Sequence, residues 1–223
     1  MRAVDERLTT RLGRRLLALS ALVLLCAAAA QAPFAALSVN SAGPQVIDIT
    51  TGITTLPQGG SVVDRDTGVS FEAAHIRYLD GEFIEATGVT VDAAFGRLTA
   101  HSVRIEMKDS LLMAEGDLRL ERDGLVVTAT GLYYYALSGI AVFEGGVTGS
   151  EPNFKADKVL LDVTNGDVLL VGSYSYTSGL FTLTSPNEGG ALELRFQEVD
   201  GVIVYDAATD VSPEIMQRFS AHL

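Results

Sequence analysis

The stretch MAEGDLRLERDGLVVTATGLYYY (Met113–Tyr135) reads as two β-strands around a turn at Arg122-Asp123-Gly124. Gly116 interrupts the first strand. A glycine inside a strand packs nothing and loses extra backbone entropy, so its placement needs a reason. It also recurs: Gly60, Gly88, Gly116, Gly145 and Gly172 follow one another at intervals of 28, 28, 29 and 27 residues. The strands between them carry a second mark, an alanine followed three residues later by an apolar residue: Ala73 and Ile76, Ala100 and Val103, Ala129 and Leu132, Ala156 and Val159. The unit is a hairpin of about 28 residues used at least four times, as in repeats that bury a core only by stacking.

The alanine mark shifts the phase of each strand. Side chains of a regular strand alternate with period two. In Arg97–Met107 the apolar positions are Leu98 and Ala100, then Val103, Ile105 and Met107. The same slip follows Val69, Phe71 and Ala73 (then Ile76 and Tyr78), and Leu125, Val127 and Ala129 (then Leu132 and Tyr134). A one-residue slip in mid-strand is the mark of a β-bulge, and bulges bend strands. The glycines fall at the same level in the neighbouring strands. Together they predict a crease across every strand, at Gly60, Gly88, Gly116, Gly145, Gly172, Ala73, Ala100, Ala129 and Ala156. A ten-residue strand, ~33 Å long if straight, would fold there and turn the apolar halves of its sheet toward each other.

Turn signals such as RDTG (65–68), RDG (122–124), NGD (165–167) and NEGG (187–190) recur along the chain, between segments rich in Val, Leu, Ile, Phe, Tyr and Thr. This predicts an all-β domain over residues 45–206, a half-open folded antiparallel sheet of hairpins joined by short turns. SPEIMQRFSAHL (212–223) predicts a short helix within 207–223, capped by Ser212, started by Pro213 and apolar at Ile215 and Phe219. It is expected to cover an open end or a sheet edge.

Residues 1–30 differ in kind. Five arginines precede an apolar run, Leu16–Ala30, which ends in small residues. That pattern is a signal peptide or a retained membrane anchor, and either exports the remainder. Residues 31–44 read as a linker. The only cysteine, Cys26, lies in the apolar run, so the exported part holds no disulfide. Without residues 1–30 the chain keeps 11 basic and 26 acidic residues. This balance disfavours nucleic acid and adhesion to an anionic membrane.

AEGDLRLERDGLVVTATGLYYY, FEGGVTGSEPNFKADKVLLDVTNGDV and ATGVTVDAAFGRLTAHSVRI resemble the OstA-like repeat of periplasmic lipopolysaccharide-transport proteins of the LptA and LptC type, over roughly residues 60–180. FKADKVLLDV (154–163) is the nearest match; AHI, AHS and ATG replace the family's Ala-Asp in the other repeats. The resemblance implies a β-jelly roll with an apolar interior, lipid acyl chains held inside it, and end-to-end stacking with other jelly-roll transport proteins in the periplasm. Acyl chains gain ~0.8 kcal/mol per buried methylene, while a charged head group stays in water.

The expected lipid-binding residues are Phe71, Ile76, Val91, Val103, Ile105, Leu118, Leu120, Val127, Leu132 and Val159. The edge strands Val46–Thr50 and Val202–Asp206 are expected to be open to strand addition. His75 and His101 sit at different offsets from their alanines and read as ordinary strand histidines, not a metal pair. Within Tyr133-Tyr134-Tyr135, Tyr134 is expected to face opposite its neighbours. Asp117, Glu121 and Asp123 read as solvated turn carboxylates. No nucleophile–base motif, phosphate loop or metal spacing occurs, so no enzyme and no cofactor are expected. The alternative to a lipid carrier is a structural or interaction protein of the envelope with the same strands and a filled core.

Overall fold

The computed structural model describes residues 33–34, 37–64, 68–93, 96–122, 124–150, 152–179, 181–185, 187, 189–199 and 202–223. The signal or anchor segment, residues 1–30, and Asp123 lie outside the described residues. The strands are β1 (Leu37–Ser41), β2 (Val46–Ile47), β3 (Thr54–Leu56), β4 (Gly60–Asp64), β5 (Ser70–Leu79), β6 (Phe83–Ala93), β7 (Gly96–Glu106), β8 (Leu111–Arg122), β9 (Leu125–Tyr135), β10 (Ile140–Ser150), β11 (Asn153–Asp162), β12 (Val168–Ser178), β13 (Phe181–Ser185), β14 (Ala191–Val199) and β15 (Val202–Ala208). One helix follows, α1 (Pro213–Phe219). All strands join a single antiparallel sheet in the order β1-β4-β5 and so on to β12-β14-β15. In addition β3 pairs with β2 and β5, and β13 with β12. Its terminal strands do not pair with each other, so the sheet stays open.

The expected crease is present. Pairing breaks or shifts at one level from β7 through β12, between Thr99 and Ser102, Glu115 and Leu118, Glu144 and Thr148, and Ala156 and Lys158. The register corrects one detail. The phase slips occur in the alanine strands, but on β8, β10 and β12 the extra residue lies on the glycine strand: Gly116-Asp117 faces Thr130 of β9, and Gly172-Ser173 faces Asp157 of β11, whereas β6 keeps step through Gly88 with both β5 and β7. The sheet therefore has two leaves. The first contains residues 70–73 of β5 and their partners out to β1, β4 and β13. The second contains residues 76–79 and their partners out to β2, β3, β14 and β15. At each end of the sheet the crease becomes a split: β4 and β3 pair with different halves of β5, and β13 and β14 with different halves of β12.

A rule for the crease follows from the glycines. The residue after each alanine mark occupies the space that a side chain on the next glycine would need: Ala74 against Gly88, His101 against Gly116, Thr130 against Gly145, Asp157 against Gly172. Gly145 also has φ +83°, a left-handed backbone that costs an L-residue ~1–2 kcal/mol. The marked residues stitch the bulges as well. The Thr130 hydroxyl donates to the Glu144 carbonyl at 3.4 Å, and Asp157 Oδ2 accepts the Ser173 N–H at 2.7 Å, pairing groups that a bulge would leave unsatisfied. Gly60 differs: at φ +158° it opens β4 where the chain crosses between leaves, with the Asn40 carbonyl occupying the side-chain position.

Three boundaries change. Residues 37–41, read as linker, form β1, because Leu37 and Val39 pack on the core and every residue pairs with β4. The first edge strand is therefore β1, and Val46–Thr50 reduces to β2, whose Val46 and Ile47 side chains are exposed. The region 207–223 contains the end of β15 and then α1, whose Ser212 cap receives the Ile215 N–H at 3.4 Å. The helix covers neither an end nor an edge. Ile215 and Phe219 pack on the outside of the second leaf, on Ile140, Val142, Leu160 and Leu169.

Gly146 has φ +71° and open space around it, whereas Gly145 is both left-handed and blocked. Gly146→Ala is expected to lose ~1–2 kcal/mol of unfolding free energy, and Gly145→Ala distinctly more. Equal losses in urea titrations would mean that Thr130 does not fill the space against the glycine.

Candidate functional site

The inner faces of the two leaves are the site that the crease creates. Val91, Leu118, Leu120, Val127 and Phe71 come from the first leaf; Ile76, Val103, Ile105, Leu132 and Val159 come from the second. All ten join one apolar cluster that runs from Leu56 and Val62 at one end to Leu192 and Leu194 at the other. Sequence reading had placed each of them inside. Others on the same face, including Ile84, Leu98, Leu112, Phe143, Phe154 and Leu170, follow the same alternation and were legible from it. Ala100, Ala129 and Ala156 are buried at the crease, and Ala73 is half-buried.

The inner face is closed. None of the ten residues is more than 4% exposed. Part of the closure comes from Phe34, which was not singled out from the sequence. It is 1% exposed, lies in the inner cluster and has φ +66°, a conformation rare for a bulky residue. Its N–H donates to Asp64 Oδ2 at 3.2 Å, at the outer end of the first leaf. The preceding Pro33 carbonyl accepts from Ser110 Oγ at 3.3 Å, at the outer end of the second. Residues 33–34 thus bridge the lips of the fold, opposite the crease.

The tyrosine triplet divides as expected. Tyr134 packs on the inner cluster, and burial pushes its phenol up, while Tyr133 and Tyr135 pack on the outer cluster beneath α1. His101 is exposed on the crease and His75 is half-buried beside it; no group of three metal-ligating side chains occurs among the described residues. Asp117 is exposed at φ +51° in the β8 bulge, and Glu121 pairs with Arg119 at 2.6 Å on the surface. Two recesses, ≈ 280 Å³ beside Lys158 and His222 and ≈ 550 Å³ beside Asn40, Gln58 and Glu72, contain none of the ten inner residues. No described helix is long and apolar enough to cross a membrane.

On the outer face two fully buried carboxylates hold α1. Asp162 accepts Arg218 Nε at 2.6 Å and the N–H groups of Thr164 and Asn165 at 2.9 and 3.2 Å. Glu193 pairs with Arg195 and accepts the Ser212 N–H at 3.1 Å. Burial raises both carboxyl pKa values, but these partners outweigh it and hold both groups below their usual range. Asp167 shifts the other way, through burial and the nearby charges of Asp162 and Glu193.

No protein-family model matches the chain, and no curated protein matches it.

A carboxylate whose pKa is lowered by folding stabilises the fold above its unfolded pKa, and that contribution disappears as pH falls through the folded value. Asp162→Asn is therefore expected to lose ~2 kcal/mol at pH 7, since hydrogen bonds to charged groups contribute ~1.5–3 kcal/mol. The gap to wild type should close as the medium is acidified below the ordinary aspartate range. A gap that persists unchanged in acid-titrated melts would contradict the assignment of Arg218 to this carboxylate.

Proposed function

We propose that the protein is a lipid-binding carrier of the cell envelope, exported to the periplasm, that holds the acyl chains of lipopolysaccharide or a similar amphiphile between its two leaves. The observation that carries this reading is the convergence of both apolar half-faces on one continuous inner surface within an open sheet. The resemblance of the repeats to OstA-like transport proteins points the same way. Occupation requires the leaves to part, and the bridge at Phe34, where one side chain and two hydrogen bonds join the lips, must then give way. Head groups remain outside; the acidic surface repels anionic ones unless divalent cations screen them.

Partners of the same architecture would add strands at β15 or, at the opposite end of the sheet, at β1 on the first leaf or β2 on the second, where Val46 and Ile47 are exposed. The second reading, an envelope interaction protein with a filled core, is favoured by the near-complete burial of the inner residues.

Delipidated full-length protein carrying a photoreactive residue at Val103 or Leu118 should crosslink to radiolabelled dimyristoyl phosphatidylcholine, and a probe at exposed Thr99 should not. Phe34→Ala should accelerate labelling at the inner positions while destabilising the fold by ~3–5 kcal/mol. Labelling at Thr99 alone would leave the filled-core reading standing.

A further inference from the structure

We infer that the Tyr176 hydroxyl is the polar anchor of the inner face, where it donates to a carbonyl oxygen of an acyl ester or amide; this rests on the carrier reading above. Tyr176 lies on β12 and is 3% exposed within the inner apolar cluster. Its hydroxyl is the buried side-chain polar atom that finds no hydrogen-bond partner among the described residues. Such orphans are rare, because an unmade buried hydrogen bond is strongly unfavourable, and a phenylalanine would fill the same space without that penalty. The neighbours offer no reason for a hydroxyl. Across the register stand Phe154 on β11 and Leu183 on β13, both packed on the same cluster.

Its position fits a ligand's polar junction. Here β12 pairs with β13, the last strand of the first leaf, while the second leaf continues through β14 and β15. Tyr176 is thus one strand from a free edge, at the split end of the fold. An amphiphile with its chains inside and its head group in water carries its ester or amide linkages at that boundary. The linkage carbonyl is a neutral acceptor, which a phenol can satisfy without burying a charge. The inferred ligand class is therefore an acyl ester or amide, not a bare hydrocarbon and not a free anion drawn into the interior.

The test compares wild type with Tyr176→Phe, using calorimetric titration with two single-chain probes of equal length. Monomyristoylglycerol carries an ester carbonyl; tetradecyltrimethylammonium carries no acceptor. Tyr176→Phe should bind the ester about five- to tenfold more weakly, bind the ammonium probe as wild type does, and melt no lower than wild type when unliganded. Equal affinity for the ester, or parallel losses for both probes, would overturn the anchor while leaving the carrier reading intact. A lower melting temperature of the free variant would show that the hydroxyl serves the fold instead. Failure of wild type to bind either probe would overturn the carrier reading and the anchor with it.

Discussion

The whole structure depends on a backbone constraint: the ladder is interrupted at one level in strand after strand, with one more residue on β8, β10 and β12 than on their neighbours, and the sheet bends there. Flat, the sheet would show a continuous apolar stripe to water on each side of the crease. Folded, the same residues bury against one another, at ~1.5–3 kcal/mol for each large side chain. The bend is held by side chains placed for it. Thr130 and Asp157 pair backbone groups at the bulges, and the glycines leave room for them. Sequence motif and geometry are here the same fact, since the residue after each alanine is the one that faces the next strand's glycine.

The crease also sets what the molecule can do. It makes one face inward and apolar and leaves the other free for unrelated tasks. The second leaf uses its outer face to dock α1, through a small apolar cluster flanked by Asp162 and Glu193. The inner face, closed at its lips by Phe34, is the larger surface and the one with an unexplained hydroxyl.

Much of this was legible in the sequence because it is periodic. The glycine spacing, the alanine phase slips and the alternation of Leu98, Val103 and Ile105 located the crease and the inner face, and alternation alone turned Tyr134 away from its neighbours. What was missed depends on contacts distant in sequence. Phe34 stands in a stretch without periodicity, and its partners Asp64 and the Ser110 turn lie 30 and 77 residues from their acceptor or donor. The strand at Leu37–Ser41 is short and acquires its identity from β4. The site of α1 could not be read from its amphipathic pattern, which shows that a helix has an apolar side but not which surface covers it. The orphan state of Tyr176 is likewise a property of its surroundings, invisible in a strand that alternates normally.

The most direct test is a distance between the leaves. With Cys26 replaced by serine, spin labels at Thr99 on the first leaf and Leu137 at the tip of the second report their separation by pulsed electron resonance. Both positions are exposed. Addition of dimyristoyl phosphatidylcholine to the delipidated protein should shift the distribution to longer distances, and Phe34→Ala should populate those distances before lipid is added. An unchanged distribution with lipid demonstrably bound would mean that the chains lie elsewhere, and that the crease serves only to pack a closed core.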